Sequence, residues 1–270
     1  MVEWIRLLVD DEALARALSD YALVAARLGP LTLIAPWWAL RASPVLVRAT
    51  VTLALTVAFG AVAGGALPVP SVPTTGLPLA CLRESIVGTV FAVAASMPFW
   101  SLGWAGRLVD TWRGASLAEV LTPDGGERTS PLGDLYLMLG VVLFLAWGGH
   151  VLVLDAFADT LVAVPLGATS HAGSWPRVAL GAAELVGSAL AFAVSAAAPA
   201  AVAMVMTEMG IGLVARTAPQ IPVFFMAMPL RAAVGLAIAL LSASILVGEG
   251  VVWRAPVHAP VRVLSPLGSP

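Results

Sequence analysis

The sequence predicts an all-α, polytopic membrane protein. Hydrophobic residues make up 60% of its 270 positions against 11% charged, with a mean hydropathy of +0.95, far outside the range of a soluble globular domain. Six apolar runs, near 21–40, 45–66, 85–105, 135–164, 178–207 and 232–252, have the length that crosses a hydrocarbon core, about 20 residues of helix for about 30 Å. Between the last two lies GLVARTAPQIPVFFMAMPLR, residues 212–231, where two arginines, a glutamine and three prolines interrupt an apolar stretch. A lone helix in lipid cannot leave backbone groups unpaired, so Pro219, Pro222 and Pro229 predict a broken segment facing protein more than lipid.

Taken in order, the elements have distinct characters. Residues 1–20 carry Glu3, Asp10, Asp11 and Glu12 where a signal peptide is basic, and are expected to persist in the mature protein. Trp4, Ile5, Leu7, Leu8 and Leu14 among acids and arginines fit either a short interfacial helix or a solvated lead-in to the first run, and the lead-in is preferred. The second run contains Gly60 and Gly64, a GxxxG pair that permits close helix approach, and alanine and glycine dominate 178–204. Residues 67–83, proline-punctuated and nearly uncharged, read as an extended spacer. Residues 106–133 form the longest polar stretch. Its first half, with Arg107, Asp110 and Gly114 spaced to share one face, is compatible with a turn of amphipathic helix, and PDGGERTSP in its second half is turn chemistry throughout. A single membrane domain is expected over 1–254, followed by a disordered tail from Ala255 with four prolines and no acid.

Several function classes lose support. Cys81 alone makes no disulfide framework and no cysteine metal site. All 14 basic residues are arginine and the net charge is −2, which gives no reason to expect nucleic-acid binding. The arginines also fall on both sides of any alternating topology, so the positive-inside rule only weakly favours a non-cytoplasmic N-terminus. Asp155 and Asp159 share a helical face but His150 is off that spacing, which disfavours a metal site. There is no GxSxG, no HExxH and no phosphate-cradling GK[ST], so no catalytic, cofactor-binding or metal-ligating residue is expected. The polar residues in or beside apolar runs, Arg27, Glu184, Glu208, Arg216, Arg231 and Glu249, are either relay groups of a transporter or groups that pair across helices or snorkel to the interface. Pairing is the commoner fate of such groups.

These residues resemble the FliR/SctT (YscT, SpaR) family, the export-gate membrane subunit of flagellar and virulence type III secretion. The family's A-R-x-x-P-Q run, aromatic pair and P-L-[KR] are matched by Ala215, Arg216, Pro219, Gln220, Phe224, Phe225, Pro229, Leu230 and Arg231, with Pro222 in place of the usual asparagine. The resemblance extends to Arg27, Pro36, Pro44 and Arg48 around the first hairpin, Glu84 and Gly88 opening the third span, and Gly148 with Gly149 ending the fourth. Asp110, Arg113, Gly114, Pro123 and Ser130 to Gly133 look more like the injectisome branch, although His150 is also at home in the flagellar one.

The resemblance implies a non-enzymatic, multi-pass inner-membrane subunit within a secretion basal body. Its implied partners are P-type and Q-type export-gate subunits and the U-type switch protein, with exported proteins as transient substrates. It also implies that the loop corresponding to 106–122, including Gly106, Arg107, Asp110, Arg113 and Gly114, helps to plug the closed channel. Arg216, Pro219, Gln220, Phe224, Phe225, Pro229 and Arg231, with Gly60 and Gly64, are then expected at subunit packing faces. In such a gate the apolar helices need not all cross the bilayer. The competing class, a stand-alone secondary transporter, predicts an internal inverted repeat and paired broken helices, of which only the C-terminal break is visible.

Overall fold

A computed structural model describes residues 11–37, 44–66, 76–114, 130–167, 174–218, 220, 222–248 and 258–268; for 11–17, 61–66, 223, 224 and 243–248 it describes the backbone alone. Eight α-helices account for most of these residues, with no strand among them: α1 Asp11–Ile34, α2 Val45–Ala66, α3 Leu77–Trp112, α4 Pro131–Ala146, α5 Gly149–Ala163, α6 Ser174–Thr217, α7 Val223–Gly248 and α8 Ala259–Leu264, the last continuing into a 3-10 turn over Ser265–Leu267.

Three of these helices are long and apolar enough to cross a membrane: α3, α6 and Phe225–Ser242 of α7. The run expected over 135–164 is not one straight helix. It is the pair α4 and α5, bent by 78°. The cause is local: Trp147 ends α4, and Gly148 takes φ +72°, a left-handed conformation open chiefly to glycine. If that pair counts as one span the total is four among the described residues, where the six apolar runs had predicted six.

Two further expectations change at their edges. The spacer 67–83 is helical from Leu77, because Pro78 lies in the first turn of α3, where its missing N–H costs nothing. The tail is ordered over 258–268: Pro260 occupies the first turn of α8, and Pro260, Val263, Leu264 and Leu267 are buried. Four prolines misled the composition argument, since three apolar side chains at helical and turn spacing suffice to dock a short segment.

Contacts divide the chain into two compact units, where one domain was expected over 1–254. The first comprises Met1–Ser96, Gly148–Leu185 and Ala255–Pro270, and the second Met97–Trp147 and Val186–Arg254. In the first, α1 and α2 form a hairpin whose approach is set by Gly60, where a Cβ would fall within the ring of Tyr21. Phe157 on α5 meets Phe59 and Phe91 edge-on at 5.1 and 5.6 Å, and α8 packs on α5. In the second, Phe99 meets Phe144 edge-on at 5.0 Å, and buried Tyr136 donates its hydroxyl to Ala239 O at 2.9 Å, joining α4 to α7.

Hydroxyls in these apolar helices are satisfied locally. Thr52, Thr56, Thr89, Ser96 and Thr111 each donate to the carbonyl four residues back, which lets the buried pair, Thr56 and Ser96, sit in an apolar interior without unpaired donors.

Candidate functional site

Three polar constructions stand out. The first lies in the first unit and joins residues scattered through the sequence. Arg27 on α1 and Glu84 on α3 are both buried; Arg27 Nε donates to Glu84 Oε2 at 2.5 Å. Arg27 Nη1 donates to Thr160 O and Val164 O, at 3.1 and 2.8 Å, carbonyls at the C-terminal end of α5, the first of which also accepts from Val164 N at 2.9 Å. Glu84 Oε1 accepts from Gly167 N at 2.9 Å in the turn that follows. One ion pair thus caps a helix end and pins its exit turn. Close approach of α3 to α1 is permitted by Gly88, where a Cβ would strike the backbone of Arg27.

The second construction closes the polar stretch 106–133 at its base. Gly106, Arg107 and Asp110 are not loop residues but belong to α3, which ends at Trp112; Gly114, with φ +80°, turns the chain out of the helix. Helix persists here because Val109 and Ala105 continue the buried face of α3. Buried Asp110 accepts three hydrogen bonds: from Arg113 Nε at 2.6 Å, Ser130 Oγ at 2.5 Å and Leu132 N at 3.0 Å. Ser130 in turn accepts from Gly133 N and, with Pro131 behind it, starts α4. Gly106 lies against the backbone of Leu132 and Gly133, too close for any Cβ, while Arg107 is exposed with its stem beside Gly133. Residues 115–129 lie outside the described residues.

The third is the break between α6 and α7. Helix stops at Thr217 and resumes at Val223, so the expected interruption narrows to 218–222, with Pro229 accommodated inside α7. Arg231 and Glu208 bridge the two helices, Nε to Oε1 at 2.7 Å and Nη2 to Oε2 at 2.9 Å. An apolar cavity of about 550 Å³ lies between the arms, lined by Ile211, Val214, Met226 and Leu230 among others. Arg216 is exposed in the last turn of α6, and Gln220 is exposed in the break itself. Phe225 and Pro229 are exposed. Pro219, and the side chains of Phe224 and Gly64's surroundings, lie outside what is described.

Of the polar residues flagged in apolar runs, the structure brings together Arg27 with Glu84 and Arg231 with Glu208, and leaves Glu184 exposed. Asp155, Asp159 and His150 are all exposed on α5. Sequence reasoning missed the pairing role of Ser130, although Ser130 followed by Pro131 is itself a helix-start signal. It also missed Gly235, where a Cβ would stand 2.7 Å from Met204 Cε and 3.1 Å from Arg113 Cβ, and which has no signal beyond being a glycine inside an apolar run.

A helical membrane protein whose buried charges tie helices to each other, with a proline-broken pair of exposed apolar helices, is the class these features define. The chain belongs to the family described as bacterial export proteins, family 1, whose model matches residues 18–250. It is 34% identical over 152 residues to Yop proteins translocation protein T of Yersinia pestis, covering 56% of this chain and 58% of that protein. It is 30% identical over 168 residues to secretion system apparatus protein SsaT of Salmonella typhimurium, covering 59% and 61%. The flagellar biosynthetic protein FliR of Caulobacter vibrioides aligns at 27% identity over 244 residues, 89% of this chain and 94% of that one.

Proposed function

We propose that the chain is a non-enzymatic structural subunit of a type III secretion export gate, forming part of the protein-conducting channel across the bacterial inner membrane, in the injectisome branch. The observation that carries this reading is the family match over 18–250, taken with the use made of buried charge. Arg27, Glu84 and Asp110, the buried charged residues among those described, are engaged in holding helix ends and turns. That is the employment expected of a wall. The injectisome branch draws support from the higher identity to the Yersinia protein, and the flagellar alternative from the near-complete alignment with the Caulobacter one.

On this reading the subunit assembles with P-type and Q-type subunits and the U-type switch protein, and exported proteins pass as transient substrates. Arg216, Gln220 and Phe225, all exposed beside the break, face those partners. Replacing Arg216 and Gln220 with alanine reduces co-purification with the P- and Q-type proteins; intact complex with lost secretion would move both residues to the conduction path instead. The stretch 106–122, whose described part carries Gly106, Arg107, Asp110, Arg113 and Gly114, serves as the plug of the closed channel. Its test is deletion of 115–121, which spares α3 and the Asp110 contacts and makes the resting membrane leaky to small ions; an unchanged leak is evidence against a plug.

A further inference from the structure

The C-terminal end of α5 is closed from two directions, and the Arg27–Glu84 pair supplies only one of them. The helix stops at Ala163 because Pro165 has no N–H to continue the ladder. Gly167 N, the donor that a continuing helix would offer to Ala163 O, is turned instead to Glu84 Oε1 at 2.9 Å. Arg27 Nη1 takes Thr160 O and Val164 O, the carbonyls on either side in sequence. The Ala163 carbonyl meets Gly268. A Cβ there would strike Ala163 O, and would stand 2.8 Å from the Ala163 carbonyl carbon and 3.6 Å from Val164 N. The backbone of Gly268 therefore lies on that carbonyl at an approach that a residue with a side chain does not permit. Conformation does not demand glycine here, since φ is −92°, so the close approach is what the glycine serves. The neighbouring residues hold it in place: Val263, Leu264 and Leu267 are buried, α8 and the 3-10 turn both touch α5, and Gly268 N donates to Ser265 O at 3.2 Å.

We propose that the end of α5 is an intramolecular docking site whose occupant is the segment 258–268, and that Gly268 completes there the cap that Arg27 begins. The inference is independent of the export-gate reading, because every group in it belongs to the first unit. A helix of six residues has no stability of its own, so α8 exists only while its apolar side chains are seated. Docking and helix formation are thus one event for this segment. A Cα–H aimed at a carbonyl is a weak donor, and the larger effect of Gly268 is to shield the helix end from water. The amides of Val164 and Gly167, which donate to Thr160 O and Glu84 Oε1, stay protected while the segment is seated.

The test is hydrogen–deuterium exchange of the chain purified together with the subunits that accompany it in the membrane. Truncation after Leu267 and the variant G268A both leave α8 entire. Each speeds exchange of the 160–167 amides about tenfold, the change that loss of one contact of hydrogen-bond size produces. G268A acts as strongly as the truncation, because the obstacle is a main-chain carbonyl and no side chain can move aside for the added methyl. Truncation after Val257 removes the whole segment and speeds exchange further. In all three, the α4 amides over 131–146, in the other unit, keep the parent rate. Parent rates at 160–167 in both the Leu267 truncation and G268A would overturn the role of Gly268. Parent rates after truncation at Val257 would overturn the docking site, and equal acceleration over 131–146 would overturn it too, by showing a general loss of stability.

Discussion

At the scale of single residues, Arg27 shows how a buried charge is retained in an apolar helix. Desolvating an ion pair offsets most of its attraction, so the pair is a poor source of net stability. Removing one member is a different matter, because the other is stranded. Arg27→Ala leaves the buried Glu84 carboxylate unpaired and strips the cap from α5, and should cost about 3–5 kcal/mol, read as a lower melting temperature of the purified complex. Arg27→Lys should fall between, since one ammonium cannot replace a fork that serves a carboxylate and two carbonyls. The glycines divide by what they touch. Gly60→Ala is opposed by the Tyr21 ring and should regain membrane abundance when combined with Tyr21→Ala. Gly88→Ala is opposed by the Arg27 backbone, so a second side-chain truncation should not rescue it. Arg27 was visible in the sequence as a charge in an apolar run, and Glu84 and Gly88 only through the family likeness. Their convergence was not, because the contacts span 57 to 137 residues of chain and two acceptors are main-chain carbonyls that carry no sequence signal.

At the scale of elements, bends follow from individual residues more than from overall hydropathy. Gly148→Ala forces a side chain into a left-handed conformation at about 1–2 kcal/mol, and should either destabilise the complex by that amount or straighten the α4–α5 junction, distinguishable by a spin-label distance across the bend. The break after Thr217 was legible from Pro219 and Pro222, since prolines at that spacing stop a helix in any environment. The bend at Gly148 was hidden inside an apolar run of about 30 residues, where hydropathy continues although direction does not. Composition also failed for the tail. Disorder follows when a segment cannot bury enough apolar surface, and α8 buries Val263 beside Gly181 of α6.

At the scale of the whole molecule, apolar surface is unequally covered. The apolar window of α3 is 67% buried within the chain, whereas those of α6 and α7 are only 28% and 17% buried. Residues such as Met206, Met209, Leu213, Phe225 and Leu241 accordingly face outward. Expressed without the proposed P- and Q-type partners and extracted in detergent, the subunit should give a broad, aggregated elution profile that sharpens on co-expression; a stable lone subunit that carried small solutes into vesicles would favour the transporter class. The helical class, the apolar character and the family likeness could be read from the sequence because each depends on composition or short motifs. Which faces are covered depends on packing between distant segments, and for those faces the sequence is silent. The Glu208–Arg231 bridge gives this exposure a mechanical meaning. Glu208 is still about half open to water, which weakens the attraction; for charges about 4 Å apart it is worth about 1 kcal/mol in bulk water and about 4 kcal/mol where the effective dielectric falls to about 20. Any neighbour that drives solvent from the crevice between α6 and α7 strengthens this latch by lowering the dielectric around it.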